Sequence, residues 1–480
     1  MSIKDAFIHT FKTADNYYIY DVNSNSIIST SEDVYNCLRN KAKINEKDIS
    51  VDTLEKLNVL RENGFLSSKR MKTIEHPATE LMPFYIKNRM NVLTLQVTQQ
   101  CNLRCAYCAY SGTYDNRIHN EKSMSFEIAK KGIDYVISNS SESNRIDIGF
   151  YGGEPLLRFD FIKQCVEYAE ANAEGKKLQF HMTTNGTILT DEIMKFLAEN
   201  KFSLLISLDG PEEIHDRNRT FASNGNGTFK TIMKNISKFK SVYEGYVDKY
   251  IRFNAVLDGT SDFECTKKFF SEYDDVKDFK VNLSSMAENY SKEERRVNED
   301  VMVSTGYERF KVLLNKVGRL DEKYVSKLFD KEFLRLKDTF YKRELNNEIP
   351  DVGHPSGPCM PGIRKLFLNV EGNFYPCERV SELSNIMKIG NVTDGLYIDK
   401  IQNILNVGKV SEDECKDCWS YRYCYLCCAY ADDMDILSKD KKIMNCSRVR
   451  HATEENLKEF CFLNEMGCDF EESDINYFTY

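Results

Sequence analysis

Between about residue 90 and residue 283 the apolar positions fall into short runs separated by longer segments with helical spacing. The runs at 92–98, 146–151, 178–183, 203–208, 251–257 and 279–283 have the length and β-branched or aromatic content of buried strands. Between them, Ala129, Ile133, Val136 and Ile137 share one helical face, as do Phe229, Ile232, Met233 and Ile236. Strands alternating with amphipathic helices are βα units around a parallel sheet. Six of them predict an α/β fold, a partial (β/α)6 TIM-like barrel over 90–300. The ends of the chain read differently. In 1–75, two strand-like runs at 17–22 and 27–30 flank the turn-forming Asn23-Ser24-Asn25-Ser26, and two helical stretches follow, the second (52–63) stopping at Gly64. That predicts a winged-helix-like N-terminal domain. Residues 301–350 read as a charged helical connector, 351–450 as a Cys-, Gly- and Pro-punctuated domain, and 451–480 as a C-terminal tail. There is no internal repeat or low-complexity segment.

A net charge of −9 gives the chain no general attraction to nucleic acid or anionic membrane. Its first 70 residues carry ten Lys and Arg against ten Asp and Glu, so the winged-helix-like domain has no basic face for DNA. The start of the sequence lacks a signal-peptide pattern and no apolar run is long enough to span a bilayer. A cytoplasmic location is expected. Sixteen cysteines in such a compartment point to metal ligands or redox groups rather than disulfides. Three crowd into 101–108 and eight into 359–446, which is the clustering that shared ligands require.

The first group, Cys101, Cys105 and Cys108, forms a C-x3-C-x2-C loop directly after the first predicted strand, where parallel α/β barrels place their chemistry. Three thiolates can hold three irons of a four-iron cluster and leave one corner free. A closed zinc site would need a fourth ligand, for which His119 is the nearest candidate. The loop, with Tyr107 before its last cysteine, resembles that of the radical S-adenosylmethionine (SAM) superfamily. Gly152-Gly153-Glu154-Pro155 follows the second predicted strand and looks like the family's motif at the SAM amino group. Thr184-Asn185 after the third strand and Ser207 and Asp209 after the fourth stand where the family contacts the ribose and carboxylate, with Arg219 as a carboxylate clamp. The resemblance implies that SAM binds the free iron and is cleaved reductively to a 5′-deoxyadenosyl radical that removes hydrogen from a substrate. Each short motif taken alone is an ordinary βα turn.

The second group reads C-x12-G-x4-C (Cys359, Gly372, Cys377), C-x2-C-x5-C-x3-C (Cys415, Cys418, Cys424, Cys428), then Cys446. It resembles the SPASM-type auxiliary-cluster domain of radical SAM enzymes that act on peptides. The resemblance implies two further [4Fe-4S] clusters, three in all. One is held by Cys415, Cys418, Cys424 and Cys446, and the other by Cys359, Cys377 and Cys428. The open iron of the latter could take Cys427, another protein group or a substrate thiolate. Cys37, Cys165 and Cys265 read as small hydrophobes.

The texture is similar to that of maturases that install sulfur-to-carbon thioether bridges in cysteine-rich ribosomal peptides, the ranthipeptide and sactipeptide type. Expected partners are therefore a precursor peptide, whose leader adds as a strand to the N-terminal domain, and a low-potential electron donor such as ferredoxin or flavodoxin. Formylglycine-type oxidation and carbon–carbon cross-linking are alternatives within the class. A redox-responsive iron–sulfur DNA-binding protein is the alternative outside it. No residue stands out in the sequence as the general base.

Overall fold

The structure is a computed structural model that describes residues 3–42, 49–115, 117–260, 262–286, 288–293, 297–345, 348–355, 357 and 359–471. The N-terminal unit is an antiparallel sheet of β1 (Ile8–Lys12), β2 (Tyr17–Asp21) and β3 (Ser26–Thr30), in that order, followed by helices Glu32–Arg39 and Val51–Glu62. Ser50 caps the second helix by accepting from the Thr53 amide. The predicted hairpin is β2–β3. The sequence reading missed β1, whose alternation is masked by two polar residues, His9 and Thr10, between Ile8 and Phe11.

After a short β4 (Thr73–Ile74) comes β5 (Val92–Thr98), and the chain then passes through β6 (Leu103–Cys105), β7 (Arg145–Gly152), β8 (Lys177–Thr184), β9 (Ser203–Ser207), β10 (Arg219–Phe221), β11 (Ile251–Leu257) and β12 (Lys280–Ser285). Strands β5, β7, β8, β9, β11 and β12 are parallel neighbours in that order, and these are the six strands expected from the sequence. The helices between them bury their apolar faces on the sheet. Ser125 and Thr190 cap two of these by accepting from the amides of Ile128 and Ile193. Phe150, Phe180, Phe202 and Phe253 are almost wholly buried between the layers, each worth about 1.5–3 kcal/mol of burial.

The C-terminal part has little regular structure: β13 (Val352–Gly353), β14 (Phe367–Leu368), β15 (Asn373–Tyr375), β16 (Gly390–Asn391) and β17 (Gly395–Leu396) are all two or three residues long. The hairpin β14–β15, with Gly372 at φ +84° in its turn, was legible in the sequence. Its place was not. β14 pairs in parallel with β5, so β14 to β17 extend the barrel sheet to ten strands. Gly132, in the middle of helix Phe126–Ser138, explains how β14 fits: a Cβ there would lie 2.4 Å from Leu368 Cδ2. The barrel and this extension share one core that includes Phe367, Phe374, Met387 and Cys428.

A second core joins the N-terminal sheet, through Phe7, Phe11, Tyr18 and Tyr20, to the C-terminal helix Cys446–Glu465, through Leu457, Phe460 and Cys461. His9 stacks on Trp419 at 3.6 Å and meets Glu454 of that helix at 3.1 Å. Residues 451–465, expected as a tail, thus complete a long helix that carries the N-terminal sheet. The expectation fails because the helix buries only a narrow stripe, which charged neighbours obscure in the sequence. Residues 472–480 lie outside the described residues.

Candidate active site

The three-cysteine loop leaves the C-terminal end of β5. Its middle, β6, pairs antiparallel with β10, and this register sets Cys105 opposite Arg219. Three residues on each side are too few for a periodicity signal, so the ribbon was invisible in the sequence. Each sulfur of the loop is met by N–H donors: the Leu103 amide reaches Cys101 Sγ at 3.4 Å and the Tyr110 amide reaches Cys108 Sγ at 3.4 Å, while Arg219 Nη1 reaches Cys105 Sγ at 3.8 Å. Asn185 Nδ2 lies 3.9 Å from Cys101 Sγ.

Burial pushes the Cys101 thiol up to about 12 and Cys105 to about 11. Without a cation these thiols stay protonated, and a metal that binds the thiolates removes that penalty. Donors aimed at three sulfurs suit a sulfur-ligated iron cluster, so the residues present fit one. The zinc reading finds no support among the described residues, where no three His, Cys, Asp or Glu side chains gather closely enough to hold a single ion. His119 stacks on Tyr110 instead, its Nδ1 3.4 Å from the Gln99 carbonyl.

The residues expected around SAM converge on this loop and hold one another. A Cβ on Gly152 would lie 2.2 Å from the Thr98 carbonyl oxygen, and one on Gly153 would lie 1.9 Å from that of Gln100. The glycines therefore seat the end of β7 against the backbone that leads into Cys101. Glu154 is buried and accepts from Thr184 Oγ1 at 2.7 Å, the Asn185 amide at 2.8 Å and the Leu156 amide at 3.1 Å, the last capping the turn that Pro155 begins. Burial raises its pKa, against the pull of those three donors. Glu154 thus locks the ends of β7 and β8 together.

Asp209 is almost wholly buried and pairs with Arg219 at 2.8 Å. It also accepts from the Tyr107 hydroxyl and from the Val256 amide at 3.0 Å. Burial opposes its charge, but the Arg219 guanidinium prevails and holds its pKa below the usual carboxylate range. The clamp expected of Arg219 is therefore engaged by a carboxylate of the protein itself, with its guanidinium 5.2 Å above the Tyr107 ring. Ser207 is buried at the end of β9, in register with Asn254. Two contributors gave no sequence signal. Asn102 accepts from Asn185 Nδ2 and donates to Thr187 Oγ1, both at 2.9 Å, and His215 Nδ1 accepts from the Asp209 amide at 3.2 Å.

The C-terminal cysteines assemble in two groups. Cys415 lies near Cys418, Cys424 and Cys446, and Cys418 lies near Cys424. Beside them the buried Lys442 ammonium donates to Ser411 Oγ at 2.6 Å and to Cys415 Sγ at 3.2 Å. The second group is Cys359, Cys377, Cys427 and Cys428. A buried ion pair, Arg117 to Glu382 at 2.7 Å, connects this side to the first loop. Arg117 donates to the carbonyls of Glu378 and Val380 at 3.0 and 3.1 Å, and lies over the rings of Tyr110 and Phe367.

Comparison with known proteins agrees with this geometry. Residues 95–251 match the family described as the radical SAM superfamily. An uncharacterised protein of Methanocaldococcus jannaschii is 37% identical over 30% of this chain, which spans 46% of that protein's length. The cysteine-type anaerobic sulfatase-maturating enzyme of Clostridium novyi is 25% identical over 78% of this chain and 97% of its own. In fold, the chain resembles the structure of native anSMEcpe with bound AdoMet and Cp18Cys peptide, with a TM-score of 0.56 and 21% identity, covering 78% of this chain and 99% of that one. The three-thiol loop at the end of β5 lies inside the matched residues, so the barrel over 95–251 is the part of the chain that matches the radical SAM superfamily.

Proposed function

We propose that this enzyme modifies a peptide, and that its product is a thioether cross-link between a cysteine sulfur and a carbon of a ribosomal precursor. The observation that carries the radical step is the loop of three thiols, each met by an N–H donor, at the mouth of a parallel barrel. When bound there, a four-iron cluster with SAM supplies a deoxyadenosyl radical able to abstract hydrogen. Cys101, Cys105 and Cys108 would hold that cluster. Glu154, Asp209 and Arg219 keep the strand ends around it fixed, so that little reorganisation is left for the reaction. Cys415, Cys418, Cys424 and Cys446 would hold an outer auxiliary cluster, and Cys359, Cys377 and Cys428 an inner one.

A peptide substrate is supported by the name of the C. novyi relative and by the peptide in the anSMEcpe structure. Among the described residues β3 pairs only with β2, which offers an edge to a leader strand, and the sheet's packing on the C-terminal helix ties that edge to the auxiliary region. A second reading is formylglycine-type oxidation of a protein cysteine or serine, favoured by the alignment over nearly all of the C. novyi sulfatase maturase.

The test is an anaerobic assay of the reconstituted protein with SAM, a reductant and a cysteine-rich precursor, measuring deoxyadenosine and peptide mass. Loss of two hydrogens with a blocked thiol is the expected result. Loss of the cysteine sulfur would establish the formylglycine reading instead, and a protein that cleaves no SAM would refute both.

A further inference from the structure

We infer that Cys427 is the fourth protein ligand of the inner auxiliary cluster, so that the cluster is closed and a substrate thiolate does not bind it. This deepens the peptide-modification reading and rests on it. In an extended chain consecutive side chains point to opposite sides, so a Cys-Cys pair would ordinarily split between two surroundings. Here the backbone is extended at Cys427 (φ −97°, ψ −179°) and enters a tight turn at Cys428–Tyr430. That change brings both sulfurs to one side, close enough for the two thiols to act on each other. The turn is tied down by the Tyr430 amide donating to the Cys427 carbonyl at 3.0 Å and the Ala431 amide to that of Cys428 at 2.9 Å.

The other two cysteines are delivered to the same place by independent segments. Gly357 has φ +132°, and a Cβ there would lie 2.4 Å from the Cys424 carbonyl oxygen and 2.7 Å from Tyr425 Cα. A side chain has no room there, so Gly357, two residues before Cys359, is pressed onto the Cys424–Cys428 segment. Cys377 leaves the β14–β15 hairpin and packs, like Cys427 and Cys428, against the core of the barrel. Cys427 lies near both Cys359 and Cys377. Four thiols on three chain segments are the full complement for a four-iron cluster. On this arrangement the substrate sulfur stays free of the cluster and must be positioned by the barrel.

The test uses the reconstituted holoenzyme, with electron paramagnetic resonance of the reduced clusters and cyanide as a small probe of open iron sites. SAM identifies the first cluster, because its signal alone changes when SAM binds. In the wild type, cyanide should alter only that SAM-responsive signal. Cys427→Ser and Cys427→Ala should each shift the signal of one further cluster and make it cyanide-sensitive, or lose that cluster's iron while the SAM response remains. A second wild-type signal that responds to cyanide or to an added small thiol would overturn the inference. So would variants with the spectrum and iron content of the wild type. Peptide mass reports separately: an unmodified peptide alongside the expected spectra would sink the maturase reading and leave the role of Cys427 intact.

Discussion

The two cysteine regions are built on opposite principles. The loop of Cys101, Cys105 and Cys108 hangs from long parallel strands, and a ribbon, two glycine contacts and two buried carboxylates hold it in place. The region of Cys359 to Cys446 has strands of two or three residues, three helices of five to eight residues and short turns, with its cysteines gathered in two groups of four. Long parallel ladders hold a sheet together without metal, whereas a region so poor in ladders gains from cross-links that close its loops. The first site is thus held ready by the protein's own contacts, and in the second, on the proposed reading, bound clusters would be part of the fold.

The largest effects should separate the two. Cys105→Ser should reduce SAM cleavage to background while leaving the protease resistance of the barrel and the C-terminal region unchanged. Cys446→Ser should open residues 407–446 to limited proteolysis and rapid amide exchange, with the barrel still protected. Equal protection in both variants would refute the contrast.

Next in size is the link between the regions. Arg117→Met leaves Glu382 as a buried charge without its partner, which should cost about 3–5 kcal/mol in denaturant unfolding. The double variant Arg117→Met, Glu382→Leu should regain most of that loss, because replacing both charges removes the orphan. Failure of the second change to restore stability would mean that the pair matters through Gln96 and Asn369, which also donate to Glu382, at 2.6 and 3.2 Å, rather than through charge.

How much of this was legible in the sequence follows the same division. The six barrel strands could be read because each is long enough for its apolar run to stand out and is followed by a helix of a different period. The motif residues could be placed at the strand ends for the same reason, although what they do there could not: Glu154 and Asp209 bond to protein groups contributed by later strands, and spacing along the chain says nothing about those. β6, β10 and the pairing of β14 with β5 rest on two or three residues each. Such contacts are set by tertiary packing, here by Gly132 making room for Leu368, and a local pattern does not encode them.

A smaller change tests whether the first site is held as rigidly as its contacts suggest. The Cβ of Gly153→Ala would meet the Gln100 carbonyl oxygen at 1.9 Å, so the backbone entering Cys101 must move. A displacement of about 1 Å at a reacting centre can cost about 100-fold, and SAM cleavage should fall by up to that amount. Gly64→Ala is the control. Its Cβ meets nothing within 4 Å, but φ +84° is strained for alanine, so it should cost about 1 kcal/mol of stability and leave the SAM-cleavage rate unchanged.

The last effect concerns pH and belongs to the barrel alone. His215 is buried, and desolvation first, then the nearby Arg219 charge, lowers its pKa from 6.5 to about 3. Its Nδ1 accepts the Asp209 amide and its Nε2 lies 2.9 Å from Thr228 Oγ1, which fits a neutral ring that donates to the threonine. Because the folded pKa lies below the unfolded one, the unfolded chain takes up the proton first as pH falls. The stabilisation is complete above about pH 6.5 and is lost progressively toward pH 3. At pH 5 the loss should be about 2 kcal/mol relative to neutral pH. His215→Gln lacks this titration, so the stability gap between wild type and variant in urea should narrow by that amount between pH 7.5 and pH 5. A gap that stays constant would mean that His215 protonates equally in both states and that the Asp209 turn is not held by a neutral ring.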